Sequence, residues 1–247
     1  MIQGIAIISA TVVAVLLVYF VARRTLRREP DDLTRDLAAS MVMRVSALHG
    51  LILALIFASE VVEYQQLGLE ISHEVNAVSD ISYDALRYGA QAKPVGDAIR
   101  DYLALVPAEE WQSLALTGNL SGSAWGKWND AYLAALDLVP ATPRETSLRE
   151  NMLAKIHAIA EIRDLREHHG KTELNALFWG AALAGVLLVA VGFYVFTPRR
   201  DNIALISLYA VYIGFILFTI YVMENPFKAP GALDARLYQE LLTELGR

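Results

Sequence analysis

Ionisable side chains at helical spacing along the second apolar segment are the strongest candidates for chemistry in this chain. His49 lies inside an apolar run, and Glu60 follows eleven residues later, nearly on the same helical face. Glu63, Glu70 and Glu74 extend that stripe. Ionisable groups in a membrane span usually face a bundle interior or a water-filled path, and carboxylates at a pore mouth concentrate cations. The stripe therefore predicts a cation path. Alternatively, Glu60 and Glu63 mark the outer interface of the membrane, Glu70 and Glu74 lie on a solvated face, and His49 is a buried hydrogen-bonding partner.

A second stripe combines imidazoles and carboxylates on a later segment. His157, Glu161, Asp164 and His168 are spaced to share one face of a helix. Neutral imidazole together with carboxylate suits divalent transition metals such as zinc. The chain lacks the paired Glu-x-x-His motifs of di-iron bundles, and it has no cysteine for a thiolate site. A solvated or salt-bridged face is the alternative to a metal site.

The sequence contains none of the common catalytic signatures. We find no nucleophile elbow, no phosphate-binding glycine loop and no Ser/His/Asp set in a plausible context. The chain has a net charge of −6 and no basic patch that would suit nucleic acid. We therefore expect a protein that is not an enzyme, requires no cofactor and does not bind nucleic acid.

Four apolar stretches without charged side chains must position these residues. They cover residues 1–22, 45–59, 174–198 and 202–223. A hydrocarbon core roughly 30 Å thick needs about 20 apolar residues per helix, and flanking residues can lengthen the second stretch. No strand-like alternation persists anywhere. The sequence predicts an all-α membrane protein with four transmembrane helices and a helical extramembrane domain inserted between helices 2 and 3. Its expected partners are the lipid bilayer and inorganic ions.

The expected domain boundaries follow the apolar stretches. Residues 1–62 hold transmembrane helices 1 and 2, joined by an Arg-rich cytoplasmic loop at 23–44. Residues 63–173 form the helical extracytoplasmic domain, and residues 174–225 hold transmembrane helices 3 and 4. Residues 226–247 form an amphipathic C-terminal helix.

Two kinds of signal divide the inserted segment into helices. Pro94 and Pro107 are expected to open two consecutive short helices, because proline is tolerated in a first helical turn. Thr142-Pro-Arg-Glu145 has the form of a capping box and predicts the start of a long helix ending near residue 169.

Arginines in the two short connections predict the orientation. The loop at 23–44 contains six arginines, and the second connection contains Arg199 and Arg200. Because Lys and Arg mark cytoplasmic loops, both connections are expected inside. The N-terminus, the 63–173 domain and the C-terminus are then expected outside.

Several short motifs resemble those of bacterial bestrophin-like membrane proteins. They are His49-Gly50, His73-Glu74-Val75-Asn76-Ala77, Glu109-Glu110-Trp111, and Glu224-Asn225-Pro226-Phe227 with Gly231, and the resemblance spans about residues 45–240. The family is largely a domain of unknown function, and its name implies kinship with bestrophins, which form pentameric anion channels with four membrane helices per subunit. The resemblance implies a multi-pass protein of the bacterial inner membrane, a homo-oligomer and, by analogy, a pentamer.

The leading hypothesis is an oligomeric ion-conducting membrane protein in which helix 2 lines the path. The acidic stripe favours cations, whereas the family name favours anions. The alternative is a non-conducting, membrane-anchored module whose outer helical domain binds a protein partner or a divalent metal.

Overall fold

The computed structural model describes residues 2–26, 31–171 and 174–246, and within these ranges the chain forms helices and no strand. The α-helices are α1 (Ile2–Leu26), α2 (Asp32–Tyr88), α3 (Lys93–Leu105), α4 (Trp111–Thr117), α5 (Gly122–Leu136), α6 (Pro143–Lys171), α7 (Ala176–Gly192), α8 (Arg200–Glu224) and α9 (Arg236–Leu245). A π-helical turn, Val106–Glu110, joins α3 to α4, and 3₁₀ turns follow α2 and α7. The all-α prediction is confirmed.

Four helical segments in the described ranges are long and apolar enough to cross a membrane. Three of them are Ile2–Leu26, Asp32–Tyr88 and Arg200–Glu224, and the fourth is the part of Pro143–Val195 that includes α7. Each overlaps one of the four apolar stretches found in the sequence. The prediction of four membrane-competent helices is confirmed.

The first connection is shorter than the sequence predicts. Instead of a loop over 23–44, α1 continues to Leu26 and α2 already begins at Asp32. Arg35 and Arg44 therefore lie on α2, and Arg27 and Arg28 lie outside the described residues. Arginine is a good helix former, so a charge-rich segment does not by itself end a helix.

The chain divides into two compact units, of which the first comprises residues 1–62 and 174–224, here called the membrane unit. In this unit α1 packs on α8 at close range, since a Cβ on Gly214 would lie 3.0 Å from the Cα of Ile8. Small residues of this kind allow membrane helices to approach closely. The hydroxyl of Tyr19 donates to the carbonyl of Phe196 over 2.8 Å and fixes α1 against the residue that follows the 3₁₀ turn after α7.

The second unit comprises residues 63–173 and 225–247 and is here called the helical domain. Its apolar core draws on α2, α3, α5, α6 and α9. Trp128 on α5 donates its indole N–H to the carbonyl of Ile156 on α6 over 2.7 Å. The backbone N–H of Glu145 donates to Thr142 Oγ1 over 3.2 Å, which is the first bond of the predicted capping box. Glu145 Oε2 accepts from Ala141 N over 2.7 Å, so the second bond goes to the residue before Thr142.

The last helix of the helical domain is amphipathic and docks on its core. Helix α9 begins at Arg236, six residues after Pro230, and Tyr238 and Leu241 are its buried side chains. Arg100 on α3 donates to the carbonyl of Leu245 over 3.0 Å, which anchors the far end of α9.

Candidate functional site: helix α2 and a buried charge cluster

Inside the membrane unit, α2 contacts its neighbours through one narrow face. From residue 45 to residue 62 the buried side chains are those of His49, Leu53, Ile56 and Glu60. Their spacing of four, three and four residues places them on one side of the helix. His49 and Glu60 therefore share a face, as the sequence predicts, and that face points into the protomer.

His49 is fixed against α7 by a hydrogen bond and by a glycine. Its Nε2 lies 2.9 Å from the carbonyl oxygen of Ala182, so this nitrogen carries the proton and donates. A Cβ on Gly185 would collide with the imidazole ring, which means that the ring occupies the space that the glycine leaves. The other ring nitrogen, Nδ1, is buried without a hydrogen-bond partner among the described residues.

The opposite face of α2 in the membrane unit is apolar and exposed. Leu48, Leu51, Leu55 and Val62 are each about 60% exposed in the protomer. Leucine and valine at this spacing form a continuous stripe along one side of a helix. This stripe, Leu48–Leu51–Leu55–Val62, is called the open face of α2 below.

In the helical domain, the three predicted carboxylates of α2 lie in three different environments. Glu63 is exposed. The side chain of Glu70 is 24% exposed, and its Oε2 lies 3.9 Å from Nδ1 of His73. Glu74 has no exposed surface. The structure thus places Glu74 in the domain interior, and a contribution of these carboxylates to an ion path stays a prediction.

Glu74 belongs to a buried charge cluster that the sequence does not predict. Arg166 Nη1 lies 2.9 Å from Glu74 Oε2, and Arg166 Nη2 lies 2.5 Å from Glu110 Oε1. Arg163 Nη2 lies 3.0 Å from Glu110 Oε2. These four side chains are at most 1% exposed. The cluster pairs two carboxylates with two guanidinium groups, so its formal charges cancel.

Two tyrosines add hydrogen bonds to the cluster. Tyr238 of α9 donates to Glu74 Oε2 over 3.0 Å, and Tyr102 of α3 donates to Glu74 Oε1. Arg166 Nη1 also donates to the Tyr238 hydroxyl over 2.7 Å. Burial raises the pKa of both tyrosines well above its ordinary value, so each keeps its proton and remains a donor.

Burial and ion pairing act in opposite directions on Glu110. Burial raises the pKa of its carboxyl, and the guanidinium groups of Arg166 and Arg163 offset part of that rise. Arg163 also lies over the rings of Tyr102 and Trp125, 5.6 and 5.4 Å from their centroids. These aromatic faces stabilise a cation that has left water.

The local backbone explains how the cluster residues reach one another. Arg163 and Arg166 continue the buried stripe that Met152, Ile156 and Ile159 form on α6. Glu110 ends the π-helical turn, whose wider winding shifts the side-chain register relative to an ordinary helix. The burial of the two arginines could have been predicted from the sequence, because their spacing continues the apolar pattern of α6 and places them at core positions.

The four residues of the metal hypothesis share an exposed face of α6, as their spacing predicts. The ring of His157 packs edge-on against Tyr132, with 5.2 Å between the centroids. In the described part of the chain, no group of three or more His, Cys, Asp or Glu side chains is placed to hold a metal ion. A metal site at His157, Glu161, Asp164 and His168 stays a prediction without support from the geometry.

A comparison with protein-family models decides the family. A model described as the Bestrophin-like domain matches residues 9–230, most of the chain. The chain belongs to the Bestrophin-like family. The resemblance inferred from the sequence motifs is therefore confirmed. A search of curated proteins finds no significant match.

Solved structures share the fold of this Bestrophin-like chain. A point mutant of a bacterial bestrophin homologue from Klebsiella pneumoniae matches with a TM-score of 0.68 and 13% identity, covering 97% of this chain and 99% of that one. A second mutant of that homologue matches with a TM-score of 0.59 and 15% identity over 96% and 97% of the two chains. A membrane protein mutant matches with a TM-score of 0.58 and 14% identity over the whole of both chains.

The motifs that suggested the Bestrophin-like family lie at contacts within each unit. In the membrane unit, Glu224 Oε1 accepts the backbone N–H of Leu174 over 2.7 Å. In the helical domain, the carbonyl of Gly231 accepts the Tyr64 hydroxyl over 2.8 Å. Together with the four membrane-competent helices, the family identifies a multi-pass membrane protein.

Proposed function

We propose that this Bestrophin-like protein is an oligomeric ion-conducting membrane protein whose path is lined by α2. The observation that carries the proposal is that, among the four membrane-competent helices, α2 alone holds a histidine inside its apolar section, and a buried carboxylate, Glu60, follows that section directly. Ionisable residues in a membrane helix are costly, usually face the bundle interior, and mark helices that belong to ion pathways.

The two faces of α2 have different roles in this proposal. The open face, Leu48–Leu51–Leu55–Val62, lines the path in a homo-oligomer and forms an apolar constriction that can gate by losing water. His49 and Glu60 act from inside the protomer, where they hold α2 at a fixed rotation against its neighbours. By analogy with the channels after which the family is named, the oligomer is a pentamer.

Cations are the proposed permeant ions. Glu63 is exposed and Glu70 is partly exposed, so both can present negative charge at the mouth of a path. Residues 63–172 contain ten Lys and Arg against sixteen Asp and Glu, a balance of −6. Such a mouth raises the local concentration of cations and lowers that of anions. Glu74 contributes through the buried charge cluster, by fixing the part of α2 that carries Glu70.

For the orientation we propose that the helical domain, inserted between the second and third membrane helices, lies outside the bacterial inner membrane together with both termini. The arginines around the two short connections support this arrangement. Because the chain has no cysteine, Asn119→Cys places a unique thiol at an exposed position of the domain. A membrane-impermeant thiol reagent should label it in intact cells. Labelling only after permeabilisation would reverse the orientation.

Ion flux from liposomes that contain the purified protein tests conduction. We expect flux under a potassium gradient that exceeds flux under an equal chloride gradient. In Glu63→Gln and Glu70→Gln the preference for potassium should fall, whereas Glu150→Gln, which removes an equal charge at an exposed position on α6, should not change it. A preference for chloride would overturn the cation assignment.

A second pair of variants tests the role of the open face. Leu55→Ala should widen the proposed constriction and raise the flux. Leu205→Ala removes the same side chain from α8, where it is also about two-thirds exposed, and should leave the flux unchanged. Absence of flux in wild type and in Leu55→Ala would overturn the proposal and favour a membrane-anchored binding module.

A further inference from the structure

The membrane unit contains an apolar groove that the proposed ion path does not use. The groove has a volume of about 510 Å³ and is bounded by α1, α7 and α8. Its apolar lining includes Ile7, Ala10, Ala14, Leu183, Leu187 and Leu217. The hydroxyl of Thr11 also reaches the groove but donates to the carbonyl of Ile7 over 2.9 Å, so its hydrogen is turned back into α1. The walls therefore offer contact to hydrocarbon along most of their length.

Small side chains on α1 create the groove. Ala10 and Ala14 lie one helical turn apart and both line it. Both alanines are exposed within the protomer, whereas Val15 and Tyr19 of the same helix are buried. Alanine leaves room between helices that a larger side chain would fill, so the groove exists because these two positions are alanine.

One end of the groove is lined by two aromatic side chains, one of which contacts a glutamate outside the lining. Trp179 lies in the first turn of α7, and Tyr221 lies in the last turn of α8. The indole Nε1 of Trp179 is 3.5 Å from Glu224 Oε1. Tryptophan and tyrosine at the ends of membrane helices occupy the headgroup level of a bilayer. A carboxylate at the edge of an indole, with a tyrosine at the same end of the groove, is complementary to an ammonium group.

We propose that the groove binds one phospholipid with an ammonium headgroup, of the phosphatidylethanolamine class, as a resident lipid of each protomer. The medium around these helices is lipid, so the apolar walls select an acyl chain. The charge of Glu224 and the rings of Trp179 and Tyr221 select the headgroup at the end of that chain.

Quenching of tryptophan fluorescence by brominated lipid tests the proposal. Trp179 is the tryptophan of the membrane unit, and Trp111, Trp125 and Trp128 lie in the helical domain. In bilayers of unbrominated phosphatidylglycerol, brominated phosphatidylethanolamine should quench Trp179 at a mole fraction about five-fold lower than brominated phosphatidylglycerol requires. Equal quenching by the two lipids would overturn the headgroup assignment.

Three variants separate a built site from ordinary contact with the bilayer. Ala10→Phe fills the groove and should abolish the five-fold preference, whereas Val13→Phe adds the same ring at an exposed position of α1 outside the groove and should preserve it. Glu224→Gln keeps the groove and an oxygen for Leu174 N, but should lose the preference for the ammonium headgroup. A preference that persists in Ala10→Phe would overturn the groove as the binding site.

Discussion

Arg166 and Glu74 form an ion pair without exposed surface, with Nη1 of the arginine 2.9 Å from Oε2 of the glutamate. The pair joins α6 to α2, the two longest helices of the structure. Arg166 reaches Glu110 with its other terminal nitrogen, over 2.5 Å, so one guanidinium serves two carboxylates. The contact therefore fixes three separate segments of the helical domain at one point.

Removing the arginine should destabilise the helical domain strongly. Arg166→Met leaves Glu74 and Glu110 buried with too little positive charge, and breaking a buried pair in this way costs about 3–5 kcal/mol. Chemical denaturation in detergent, followed by circular dichroism, would measure the loss. Lys155→Met, which removes the exposed partner of Asp80, should cost at most about 1 kcal/mol. A loss in Arg166→Met no larger than in this control would contradict the role of the cluster.

Gly185 should resist substitution because of its contact with His49. Gly185→Ala places a methyl group in the space of the imidazole ring, and overpacking of this kind costs about 1–3 kcal/mol. Gly180→Ala is the matched control on α7, because a Cβ there meets nothing within 4 Å. Thermal unfolding in detergent should show a lower midpoint for Gly185→Ala alone. If His49→Ala relieves the defect in the double variant, the ring is its cause.

Thr142 should contribute to stability through the start of α6. Thr142→Ala removes the oxygen that accepts the backbone N–H of Glu145, and loss of such a cap costs about 1 kcal/mol. Thr142→Ser retains the hydroxyl and should behave as wild type. Denaturation midpoints of the three proteins check this, and equal values for the alanine and serine variants would refute it.

His169 should make the helical domain less stable in mild acid. Burial lowers the pKa of His169, while Glu63 raises it and His168 lowers it further. The unfolded chain then binds this proton more readily than the folded domain, so the free energy of unfolding falls as the pH drops from about 6.5 to the lowered pKa. Below the lowered pKa both the folded and the unfolded chain bind this proton, so His169 no longer changes the free energy of unfolding with pH.

The difference between wild type and His169→Asn isolates this effect. The slope of stability against pH should be smaller in the variant, and His157→Asn, at an exposed position of α6, should keep the wild-type slope. Denaturation at a series of pH values provides the measurement. Identical slopes in wild type and His169→Asn would exclude the histidine as the source.

The helical class and the four spans were predictable because they rest on local patterns. Charge-free stretches of sufficient length predict helices that cross a membrane, and the capping-box pattern at Thr142 predicts the start of a helix. The start of α2 was not predictable in the same way. Arg35 and Arg44 resemble loop residues by charge, although both lie on one continuous helix.

The buried charge cluster shows where pattern analysis fails. Arg163 and Arg166 are charged, which by itself predicts a solvated face, yet they occupy core positions of α6. Their burial depends on partners that are distant in sequence, Glu74 and Glu110, and on the π-helical turn that directs Glu110 inward. A local pattern contains no information on such pairing, because each charge is tolerated only when its partner is already in place.

The position of Tyr238 has a consequence for biogenesis. This tyrosine hydrogen-bonds to Glu74 and Arg166, yet the ribosome makes it only after α7 and α8 have been synthesised. At about 5–20 residues per second, the nascent domain waits several seconds with its central charges incompletely bonded. Final closure of that interior is therefore a late step in synthesis, and a chain whose last membrane helix inserts slowly remains open to chaperones and proteases for correspondingly longer.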